Sequence, residues 1–81
     1  MTLNKEEKDF ILNLLEREYE SEYEYQMSEN EPDLDYIKKL RVTLTKFYCA
    51  LYGNLIGATK SKEMKEQIQK LKERYEQRRM G

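Results

Sequence analysis

Three apolar stripes at helical spacing constrain this chain more than any other feature of its sequence. Leu12, Leu15, Tyr19, Tyr23 and Met27 recur at steps of three and four. So do Ile37, Leu40, Leu44, Phe47 and Leu51, and then Met64, Ile68, Leu71 and Tyr75. That spacing puts each set on one face of a 3.6-residue helix, and no stretch shows the alternation that a half-buried strand requires. The expected fold is all-α: a small antiparallel three-helix bundle, a helical hairpin plus a C-terminal helix, in one domain over residues 1–81. The predicted helices cover residues 5–28, 31–56 and 61–79 and pack around the second.

Local signals set these boundaries. Asn4 and Glu7 stand three apart, as in a capping box, and Glu6 and Glu7 suit the positive end of the helix dipole. Asn30 before Glu31-Pro32 reads as a second N-cap, since proline is tolerated in a first turn whose N–H groups have no helical partner. Helix 2 can stop at Gly53 or Gly57, with Gly57 the preferred stop. Thr59 and Ser61 offer N-caps for helix 3.

Such a short chain buries a thin core and ordinarily needs a staple. With Cys49 as the only cysteine, no disulfide can form within one copy, and the unpaired thiol fits a reducing compartment. No histidine is present, so a histidine–cysteine zinc site is excluded. Oligomerisation is the staple that remains, and the bundle is expected to be completed by dimerisation. The opening residues are too polar for a secretory signal, and the longest uncharged run, thirteen residues from Phe47 to Thr59, is too short to span a bilayer. The expected location is the cytoplasm, away from membranes.

Charge is divided along the chain. Residues 1–35 carry twelve acids against three bases, a net of −9, and residues 36–81 carry twelve bases against four acids, a net of +8. Two functional readings follow. The acids Glu16, Glu18, Glu20, Glu22, Glu24, Glu29, Glu31, Asp33 and Asp35 could imitate the phosphates of DNA, and Lys38, Lys39, Arg41, Lys46 and helix 3 could bind nucleic acid. The favoured reading is internal neutralisation. In a hairpin turning near residue 31, Glu24 would lie across from Lys38 and Glu16 across from Lys46, each exposed pair contributing only about 0–1 kcal/mol. Nucleic acid remains a possible but not a favoured partner.

The sequence offers little to catalysis. Without histidine the commonest general base is missing, Cys49 sits among Phe47, Tyr48, Ala50 and Leu51, and no phosphate-binding glycine pattern exists. No enzyme activity, cofactor or metal is expected. The informative residues are apolar ones left off the main stripes. Phe10 and Leu14 form a second patch on helix 1, and Val42, Thr45, Cys49, Tyr52 and Ile56 a second face on helix 2, with Tyr48 beside it. Apolar surface that a small bundle cannot cover marks a protein partner, often a second copy. Phe10, Leu14, Val42, Tyr48, Cys49, Tyr52 and Ile56 are therefore the expected interface of a homodimeric, non-enzymatic protein–protein interaction module, a regulator, adaptor or inhibitor.

Overall fold

Asn4 closes the first helix, α1 (Lys5–Ser28), with the expected reciprocal pair: its Oδ1 accepts from the Glu7 amide at 2.8 Å while its own amide donates to Glu7 Oε1 at 3.1 Å. The structure, a computed structural model, describes residues 2–29 and 33–80. Those residues form three helices and no strand: α1, α2 (Leu34–Tyr52) and α3 (Asn54–Met80). Asn30, expected as the second N-cap, lies outside the described residues. The N-cap of α2 is instead Asp33, whose Oδ1 accepts from the Asp35 amide at 3.1 Å.

A buried glutamine ties the first two helices together. Gln26 is 5% exposed on α1, receives the Asp33 amide on Oε1 at 2.8 Å, and donates from Nε2 to Glu22 Oε1 at 2.7 Å. A buried amide left unpaired would cost about 1–3 kcal/mol, so this satisfied one both tolerates burial and holds the start of α2 against the end of α1.

The core draws on all three helices: Leu12 and Tyr19 from α1, Ile37, Leu40 and Leu44 from α2, Met64, Ile68 and Leu71 from α3. These are members of the three sequence stripes. Phe47, a member of the second stripe, sits at the core's rim with Leu15, Tyr23, Met27, Tyr48 and Leu51. The helices form a three-helix bundle, 49 Å long and 21 by 16 Å across. α2 shares extensive seams with both neighbours. α1 and α3 meet more locally, where Tyr19 reaches Gln67 at 2.8 Å and Met27 Sδ lies 4.0 Å from Arg74 Nη1.

The largest departure from expectation is the junction of α2 and α3. Only Gly53 separates them, with φ at +96° and ψ at 165°, a conformation that a residue with a β-carbon adopts at a cost of about 1–3 kcal/mol. Its amide donates to the Cys49 carbonyl and its carbonyl accepts from the Gly57 amide, both at 3.0 Å, so one residue closes α2 and opens α3. Gly57, the preferred stop, is instead a buried residue in the first turns of α3. It is there because the helices almost touch: a β-carbon on Gly57 would overlap the Cys49 sulfur and stand 3.1 Å from the Cys49 amide nitrogen. Thr59 and Ser61 are consequently helix-interior residues, Thr59 returning its hydroxyl to the Leu55 carbonyl at 3.0 Å.

Replacing a helical glycine by alanine ordinarily stabilises by roughly 0.5–1 kcal/mol, whereas forcing atoms into a filled contact costs about 1–3 kcal/mol. Part of the obstruction here is backbone, so the overlap wins. Gly57→Ala is expected to lower the denaturant midpoint, and adding Cys49→Ala to recover part of the loss. A Gly57→Ala protein at least as stable as wild type would contradict this close approach.

Candidate interaction surfaces

The acidic helix and the basic helix meet through tyrosines. Tyr36 donates to Glu18 Oε1 at 3.0 Å and Tyr52 to Asp9 Oδ1 at 3.3 Å, while the Tyr48 hydroxyl engages the Glu16 carboxylate. The lysine pairs expected here do not form: among the described residues no lysine or arginine of α2 or α3 lies within 4.0 Å of an α1 carboxylate. Lys60 pairs with Glu63 at 4.0 Å within α3 itself. A phenol bonding a carboxylate keeps its proton, which is why the Tyr36 hydroxyl titrates above its ordinary value; the Asp9 charge does the same for Tyr52. Burial first, then Glu16, raises Tyr48 further.

Among the described residues, grooves run between the helices at several places. One, about 210 Å³, lies between α1 and α3 beside Tyr48, and Lys60 lines it with its ammonium 5.7 Å from the Tyr48 ring centroid. A second, about 380 Å³, is open between the α1 N-terminus and α2 at Leu3, Lys8, Phe47 and Ala50. A third, about 440 Å³, separates α2 from α3 at Thr45, Cys49, Asn54, Ala58, Lys62 and Lys65. At its edge the half-buried Arg41 donates to Ser61 Oγ at 3.1 Å and has no carboxylate within 4.0 Å among the described residues.

The seven residues expected at an interface fall into three groups. Phe10 and Leu14 stand one turn apart on the outward face of α1, 66% and 46% exposed. Val42 is exposed on the outer face of α2, and Tyr52 is exposed at its end, bonded to Asp9. Ile56 is exposed but belongs to α3, so it does not extend a face of α2. Tyr48 and Cys49 are half-buried, one over α1 and the other under Gly57. Leu55, 83% exposed, was not singled out by the sequence. With helix 2 expected to run to residue 56 and helix 3 from residue 61, Leu55 falls within the expected second helix and residues 57–60 between the two. The same shift conceals the groove that Ala58, Lys62 and Lys65 line.

Among the described residues, no helix is long and apolar enough to cross a membrane, and no group of three or more Cys, Asp or Glu side chains is placed to hold a metal ion. Set against known proteins, the chain matches no protein-family model, no curated protein and no solved structure at a significant level. The functional reading therefore rests on the surfaces themselves.

Tyr19 gives these seams a pH dependence. Burial, then the neighbouring Tyr23, pushes its phenol up to about 12 from 10.0, against a smaller opposing effect of Arg41. A group whose folded pKa is raised contributes stability that is complete below the unfolded value and disappears as pH rises through the folded one. The contribution of Tyr19 is therefore present below pH about 10 and lost between about 10 and 12. Tyr19→Phe is expected to be less stable than wild type at neutral pH and to lose stability less steeply across that window in denaturant titrations. Equal slopes for the two proteins would contradict the burial of the Tyr19 phenol.

Proposed function

We propose that this chain is a non-enzymatic protein–protein interaction module, a regulator, adaptor or inhibitor that works by binding and that also associates with itself as a homodimer. The observation carrying this reading is the outward ridge of Phe10 and Leu14, two large apolar side chains one helical turn apart and mostly uncovered. Burying each would contribute about 1.5–3 kcal/mol relative to leaving it in water, so the adjacent pair makes an effective contact point. Val42, Leu55 and Ile56 add exposed apolar area elsewhere.

The bundle is read as antiparallel in its consecutive helices. The pairings Asp9–Tyr52 and Glu18–Tyr36 support this for α1 and α2, and the single-residue junction at Gly53 supports it for α2 and α3. The runner-up function is a nucleic-acid-linked one. It is favoured by Arg41, half-buried without an acid beside Lys62 and Lys65, and weakened by the net charge of −1 and by the acids of α1 in the same molecule.

Sedimentation equilibrium at micromolar concentration tests the main reading. The wild-type protein is expected to exceed monomer mass, and Phe10→Ser combined with Leu14→Ser to shift it toward monomer with helical content unchanged. A wild-type monomer throughout the range would overturn self-association.

A further inference from the structure

The apolar ridge on α1 and the α2–α3 groove carry opposite charge around them. On the exposed surface of α1, Glu6, Glu7 and Glu18 lie within about one turn of Phe10 or Leu14, with Arg17 the base nearest the ridge, and the exposed Glu20 and Glu24 extend the acidic surface further along the helix. The groove is concave, no α1 residue lines it, and its floor is of small side chains, Cys49 and Ala58. Lys62 and Lys65 edge it, Lys38 is exposed on the adjoining helix, and Arg41 lies at its margin without an acid partner among the described residues. No acid occurs between Tyr36 and Lys62.

These charges discriminate among the ways two copies can meet. A symmetric contact of ridge on ridge sets the glutamates of one α1 against those of the other, and groove on groove sets lysine against lysine. Like charges facing across an interface cost several kcal/mol. A contact of ridge in groove brings opposite charges together around an apolar centre. We infer that the occupant of the α2–α3 groove is the α1 ridge of a second copy of this chain, Phe10 and Leu14 entering between α2 and α3 with the flanking glutamates against Lys38, Lys62 and Lys65. This rests on the self-association proposed above and makes the homodimer the first step of an open series rather than a closed pair. The contact is heterologous, so each pair leaves one ridge and one groove open, and assembly continues head to tail as concentration rises.

Two reversed proteins test it. One carries Lys38→Glu, Lys62→Glu and Lys65→Glu, which makes both faces acidic; the other carries Glu6→Lys, Glu20→Lys and Glu24→Lys, which makes both faces basic. All six positions are exposed, and circular dichroism checks that the helices persist. By sedimentation velocity, wild type is expected to grow beyond dimer with concentration and to dissociate as salt is raised. Each reversed protein alone should associate roughly tenfold or more weakly, while their equimolar mixture regains association, because each ridge then meets an opposite groove. Phe10→Ser, which changes no charge, should weaken wild-type association as well and provides a readout if a reversed protein fails to fold.

Reversed proteins that each associate like wild type, or a mixture that stays dissociated, would overturn the ridge-in-groove contact. So would a closed dimer that does not grow with concentration. In the first and last cases self-association itself stands, whereas a monomeric wild type removes both proposals. Retention of single-stranded DNA by a monomeric wild type, lost on reversing the three lysines, would overturn the inference in favour of a phosphate-bearing occupant.

Discussion

Between Cys49 and Gly57 the second and third helices approach so closely that no β-carbon fits, and much of the molecule depends on that contact. It lets one residue, Gly53, join the two helices, so that α3 begins at Asn54 and runs for 27 residues. The early start places Leu55, Ile56 and Ala58 on a helix rather than in a connection. It also brings Met64, Ile68 and Leu71 into register with Ile37, Leu40 and Leu44. Without the contact, α3 would have to start later or splay away, and the lysine-edged groove beside Cys49 would not exist.

The other seam follows a different logic. α1 packs on α2 through apolar side chains, but its carboxylates are met by phenols instead of ammonium groups. A tyrosine buries a large apolar body and presents one hydroxyl at its tip, so it can pack and hydrogen-bond at the same time. A lysine pair at the same place would be exposed and worth little. The consequence is electrostatic: with the tyrosines satisfying the seam, Lys38, Lys62 and Lys65 remain exposed and Arg41 has no acid partner among the described residues. The opposed charges of the chain's two halves are thus left largely on display, which is the basis for a charge-directed contact between copies.

The apolar stripes made the helices and the core legible in the sequence, because burial follows the 3.6-residue period directly and the capping box at Asn4 and Glu7 is a local signal. The end of α2 was not, because Gly53 and Gly57 are both competent stops and the distinction lies in a tertiary approach to Cys49 that no local pattern reports. Gln26 escaped notice for the same reason, since its burial depends on an amide seven residues away. The exposure of Phe10, Leu14 and Val42 could be read from their positions off the stripes. That of Leu55 could not, once the wrong glycine had been taken as the stop. Replacing ion pairs by tyrosine–carboxylate bonds depends on side-chain reach and register, which helical-wheel geometry does not resolve.

Amide hydrogen exchange across residues 54–61 is the most direct measurement of this arrangement. In a third helix that starts at Asn54, the amides of Ala58 to Ser61 are helical and lie beside the Cys49–Gly57 contact, so protection approaching that of the α2 core around Leu44 is expected. Exchange there as fast as at the exposed Thr2 segment would mean that these residues form a loop. The close approach, the early start of α3 and the groove built on them would all be contradicted.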